Sequence, residues 1–78
     1  MTSKQVGKTI IFHRQKSKLT QKQLADLAGV GKTVVFDIEK GKETVQLNSL
    51  LKVLSVLNIK LEMKSSLMHL MEIENEES

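Results

Sequence analysis

LTQKQLADLAGVGKTVVFDIEKG, residues 19–41, splits at a glycine into two short helical patterns. Thr20 has a short side chain able to accept a hydrogen bond from a helix's orphan N–H groups, and Gln23 three residues on completes a capping-box pattern. Leu24, Leu27 and Ala28 supply an apolar face for the helix that follows. Gly29 ends it, because glycine enters the left-handed conformation without steric penalty. Val30 anchors the turn, Gly31 caps a third helix over 32–40, and Val35 and Ile38 face inward before Gly41 closes it.

Working outward, Val6, Ile10 and Arg14 fall on one helical stripe with Ile11 beside it, so residues 4–17 form a first helix, and Leu19 packs at the corner. Beyond a polar loop, Leu47, Leu50, Leu51, Leu54 and Leu57 repeat at helical spacing, with Asn58 as terminator. Ile59, Leu61 and Met63 then alternate with Lys60, Glu62 and Lys64, the period of a strand with one wet face. A lone strand leaves its backbone groups unpaired, so the expected partner is the same segment of a second copy across a twofold axis. The competing reading is that 59–64 prolongs the fourth helix or forms a loop. Val53 and Val56 flank the leucines and widen the apolar face, which points to a subunit contact made by Val53, Val56 and Ile59 through Met63. Leu67, Leu70 and Met71 can line one further short helical face. The architecture expected is mainly α: four or five helices plus one short C-terminal strand pairing across a homodimer.

Seventy-eight residues form one small domain, and a partner subunit adds needed core. With no cysteine, and with His13 and His69 far apart, neither a disulfide nor a metal site is expected, and no cofactor. The opening MTSKQVGKT carries no secretory-type apolar stretch and no run approaches the ~20 residues that span a bilayer, so a cytoplasmic location is expected. Charge is uneven. Residues 1–64 hold all 12 Lys and Arg against five acids, net +7, whereas 65–78 hold Glu72, Glu74, Glu76 and Glu77, net −4. A basic body attracts a polyanion; the acidic tail is a solvated end, a mimic of nucleic-acid charge, or a docking segment. Hence a domain over 1–64 is distinguished from a tail over 65–78.

Two helices joined at such a turn suit the major groove of DNA, ~12 Å wide, with the first braced on the backbone and the next presenting side chains to bases. Lys32, Thr33, Phe36, Asp37 and Lys40 occupy the outward positions of the third helix. Gln21 can set its amide and neighbouring N–H groups against a phosphate, with Lys22 and Lys42 adding contacts. Lys32 can donate to guanine, Asp37 accept from a cytosine amino group, and Thr33, Val34 or Phe36 touch a thymine methyl. The helix lacks Arg, Asn and Gln, so DNA shape and paired half-sites carry part of the specificity. Against these readings stand burial of Phe36 under a neighbour and a surface ion pair of Asp37 with Lys40. Arg14, on an apolar stripe, and Glu39, near the third helix's end, suit a partly buried bidentate ion pair with a structural role. No serine has a His and acid partner for activation and no glycine loop cradles phosphate, so catalysis is not expected. With only Phe12 and Phe36 as aromatics, a base-stacking platform for RNA is absent too.

The run LTQKQLADLAGVGKTVVFDIEKGK resembles the Xre, or Cro/CI, helix-turn-helix of phage repressors in Leu19-Thr20-Gln21, Leu24-Ala25, Gly29-Val30 and Ile38-Glu39-x-Gly41. TVQLNSLLKVLSVLNIKLEM resembles the leucine-rich helix and strand of HipB-type antitoxins, extending the similarity over residues 6–64. That resemblance implies a lambda-repressor-like bundle, a homodimer paired through its strand, a palindromic operator upstream of its own operon, and a HipA-like serine/threonine kinase toxin as partner. By position it also implies a phosphate contact at Gln21, base-facing places for Gly31, Lys32, Thr33 and Phe36, and the internal ion pair Arg14–Glu39. Gly31 departs from the pattern, since a polar or basic residue usually heads the third helix, and the tail SSLMHLMEIENEES matches no part of the family. The expectation is an autoregulating repressor and antitoxin. The alternatives are a stand-alone Xre regulator, phage-derived or chromosomal, and a protein-interaction adaptor that no longer binds DNA.

Overall fold

Thr2 opens the first helix, α1 (Ser3–Lys16), through a reciprocal cap: its hydroxyl accepts from the Gln5 N–H at 3.1 Å while the Gln5 side chain accepts from the Thr2 N–H at 2.8 Å. The expected start at residue 4 is thus one residue late. In this computed structural model, which describes residues 1–67 and 71, α2 (Gln21–Ala28), α3 (Lys32–Lys40) and α4 (Leu47–Val56) follow, four helices among the described residues. α2 begins with the same device, Thr20 and Gln23 exchanging bonds of 3.0 and 2.8 Å. Gly29 ends it at φ +72°, and Gly31, extended at φ −72°, starts α3 with its backbone alone.

Ile10, Leu24, Val35 and Val53, one from each helix, are wholly buried, with Ala25, Ile38, Leu54 and Leu57 around them. Burying each such aliphatic side chain contributes about 1.5–3 kcal/mol. α1 packs mainly on α3, and α2 packs on α3 and α4. The α1–α3 approach is close enough that a Cβ on Gly7 would lie 2.6 Å from the Ile38 carbonyl oxygen and 2.7 Å from that of Glu39. Only a residue without a side chain fits there.

Two helix faces differ from the expected ones. In α2 the inward stripe is Gln21, Leu24, Ala25 and Ala28, three and four residues apart, and Leu27 beside it is 63 % exposed. In α4 the inward set is Leu50, Val53, Leu54 and Leu57, whereas Leu47 and Leu51 are exposed. Val53, expected at a subunit contact, belongs instead to the protomer's own core. The physical reason is that the shared core takes Leu24 and Ala25 from α2 and Val53 and Leu54 from α4, which leaves Leu27 and Leu51 outside it, along a groove with Ala28 and Val56.

α4 ends where Leu57 turns its N–H back to Val53 and Leu54 and Asn58 takes φ +58°, so Asn58 does terminate the helix and 59–64 does not prolong it. Ile59 donates its N–H to the Leu54 carbonyl at 2.9 Å, tying the following segment to the helix end. Residues 59–65 then run without a regular hydrogen-bonded pattern, and no strand occurs among the described residues. A ladder requires a second extended segment alongside, and residues 1–58 are helix and turn. The readings of a helical face including Leu70 and of the acidic run 72–77 lie outside the described residues.

Candidate nucleic-acid interface

Helix spacing puts residues 32, 33, 36, 37 and 40 of α3 on one side, opposite the core residues Val35 and Ile38. Lys32, Thr33, Phe36 and Lys40 are exposed in the structure, as is Gly31 at the head of the helix, and Asp37 is half-buried at the edge. The stripe forms because α1 and α2 cover the other side of α3 and none of the described residues covers this one. Phe36 is 45 % exposed, so burial under a neighbouring helix does not account for it. Its ring lies under the Lys40 ammonium, 5.0 Å from Nζ to the centroid, a contact the sequence reading did not include. Val34 differs from its expected place: it is partly buried and packed on the core.

Asp37 pairs with Lys42 at 3.5 Å, not with Lys40. The chain reverses at Gly41, which brings Lys42 back over the last turn of α3, while Lys40 reaches along the helix to Phe36. Lys22 is held by Asp26 one turn away at 3.1 Å, both side chains well exposed. Pairs so open to solvent contribute little and yield readily to a phosphate. Beside α3, a cleft lined by Asp37, Lys42, Thr44, Gln46 and Ser49 opens at the start of α4, whose cap residue Gln46 makes no side-chain bond to the helix. Thr44, Gln46 and Ser49 therefore border the edge of the α3 stripe, and polar residues around the start of a leucine-rich helix are the signal in the sequence that marks them.

Behind this surface lies the ion pair expected from the sequence. Arg14 Nε donates to Glu39 Oε2 at 2.6 Å and Nη2 to Oε1 at 3.0 Å, with the side chains 14 % and 5 % exposed. Arg14 Nη1 also donates to the Leu19 carbonyl at 2.9 Å, tying the corner before α2 into the same knot. Gln21, the first residue of α2, is half-buried and donates from Nε2 to Glu39 Oε1 at 3.0 Å. Its amide thus has a partner inside the protein, and the residue is only partly covered. Lys60, Leu61, Glu62 and Met63 are all exposed, and Val56 and Ile59 are partly buried. Val56 lines a groove with Leu51 and Leu27, Ile59 and Lys60 border Leu51, and Leu61 lies with Met1, Val6 and Thr9.

A helix-turn-helix family model, HTH_3, matches residues 12–63. The uncharacterized HTH-type transcriptional regulator y4mF of Sinorhizobium fredii is 38 % identical over 56 residues, which is 72 % of this chain and 74 % of that protein. Among solved structures, a chain of a HipA–HipB–O2–O3 complex superposes with a TM-score of 0.75 at 20 % identity, covering 85 % of this chain and 93 % of that one. A chain of a HipB–O4 20mer complex matches to the same extent.

Proposed function

Since the chain belongs to the Xre-type helix-turn-helix family of transcriptional regulators, we propose that it is a sequence-specific DNA-binding repressor that occupies a palindromic operator as a homodimer. The observation that carries this reading is the uncovered stripe Lys32, Thr33, Phe36 and Lys40, set beside the N-terminus of α2. One helix enters the groove and the other meets phosphates, and occupancy of the operator blocks polymerase. Lys32 and Thr33, in the first turn of α3, reach base edges; Phe36 offers an apolar edge to thymine methyls; Lys40, Lys42 and Lys22 meet the backbone.

The dimer follows from the apolar surface on the far side. Leu27 and Leu51 are exposed along one groove with Val56, and Leu61 and Met63 are exposed further along the chain; clustered apolar surface of this kind marks an interaction site. A second copy covers it, with Ile59–Met63 pairing as antiparallel strands. Within this reading the protein is the antitoxin of a HipA-like serine/threonine kinase toxin and represses their shared operon in the bacterial cytoplasm. That is supported by the fold shared with HipB chains, one of them in a complex with HipA, O2 and O3, and by the resemblance of residues 44–63.

A gel shift with the region upstream of its own gene tests DNA binding. Retention at low salt that falls steeply at moderate salt is the expected result. No retention at either leaves the protein-interaction adaptor. An adjacent co-transcribed kinase-like gene separates the antitoxin from a stand-alone regulator.

A further inference from the structure

Gln21 lies on the inward stripe of α2 with Leu24, Ala25 and Ala28, yet it heads the helix end that meets DNA in the reading above, on which this inference rests. A polar amide at such a place needs a partner inside, and the structure supplies one: Glu39 Oε1 accepts from Gln21 Nε2 at 3.0 Å. The same oxygen accepts from Arg14 Nη2, and Oε2 from Arg14 Nε. A carboxylate accepts only, so Glu39 dictates which end of the amide turns inward. Left to itself, an exposed glutamine samples many rotamers and both amide orientations, and ordering it at the moment of binding costs entropy.

We propose that Glu39 is a positioning residue for DNA binding, which locks the Gln21 amide so that its second N–H and the open backbone N–H groups at the start of α2 form a ready-made clamp for one phosphate. The ion pair with Arg14 is what allows Glu39 to do this. Its charge is satisfied from the inside by the guanidinium, so it presents an acceptor to Gln21 without setting an uncompensated anion beside the phosphate. Arg14 and Leu19 in turn hold the corner that leads into α2, so the clamp and the groove-entering α3 keep a fixed separation.

Four proteins test the proposal: the unaltered chain, Gln21→Met, Glu39→Gln and the double variant, each titrated with a duplex from upstream of its own gene and with an unrelated duplex of equal length. Each single substitution should weaken binding about tenfold, the value of one charge-assisted hydrogen bond. It should do so equally on both duplexes and without changing the salt slope, since no charge facing the phosphate is removed. The double variant should lose no more than either single one. Losses that multiply would show that the two side chains act separately and would overturn the proposal. If Glu39→Gln fails to fold, Arg14→Met with Glu39→Met, an apolar replacement of the pair, takes its place in the same cycle. The side-chain amide resonances of Gln21, recorded without DNA, should move when Glu39 is substituted; their indifference also overturns it. If they do move and neither duplex is bound, the DNA-binding reading fails and takes this one with it.

Discussion

Arg14 carries a full charge into a site that is 14 % open to solvent, and Glu39 answers it from one 5 % open. Arg14→Ala therefore leaves Glu39 buried without its countercharge and should destabilise the fold by about 3–5 kcal/mol, read as the shift of the urea midpoint. A midpoint within error of the unaltered chain would refute the role. Gly7 is under a comparable steric constraint. The carbonyl oxygens at 2.6 and 2.7 Å belong to the backbone of α3 and cannot swing aside, so Gly7→Ala should cost about 1–3 kcal/mol by forcing the helices apart, measurable by thermal melting. The ion pair was legible in the sequence because an arginine on an apolar stripe needs an acid. Gly7 was not, since the closeness of two helix backbones is a property of their packing and leaves no local pattern. The Gln21–Glu39 bond was hidden for the same reason.

At the scale of the helices, the caps were the most legible parts because they are settled within four residues. Thr20 and Gln23 exchange their capping bonds, Gly29 and Gly41 take the left-handed conformation that the lack of a side chain permits, Gly31 is extended at the head of α3, and Asn58 turns the chain at φ +58°. Thr20→Ala removes an acceptor from α2 and should cost about 1 kcal/mol in melting stability. Gly31 has open space where a Cβ would point and an extended φ, so Gly31→Ser should stabilise α3 by a few tenths of a kcal/mol, and a lowered melting temperature would contradict that. The face of α4 was less legible. Leu47, Leu50, Leu51 and Leu54 have the same spacing as Leu50, Val53, Leu54 and Leu57, and only packing against α2 selects the second set. Spacing alone favoured the more leucine-rich one. The alternation at 59–64 has the period of a strand, but a strand exists only through a segment paired alongside it, which a local pattern does not supply.

Over the whole molecule, two surfaces of different chemistry stand out. The stripe on α3 with the start of α2 makes a basic face, and Leu27, Leu51 and Val56 line an apolar groove. The residues of the first were legible because outward helix positions follow once the core side is known. Those of the second were only half legible, Val53 being assigned outward and Leu27 inward. If the apolar face joins two copies, Leu51→Glu should leave the helical circular dichroism intact while shifting sedimentation from dimer to monomer, and a dimer that survives the change would move the interface elsewhere. Two α3 helices carried by one such dimer should sit about one turn of DNA apart, roughly 34 Å. Hydroxyl-radical footprinting of the region upstream of its own gene measures this directly. Two protected half-sites related by a twofold axis and one turn apart, lost on Lys32→Ala, are the predicted result; uniform cleavage at low salt, or a single protected half-site, would contradict it.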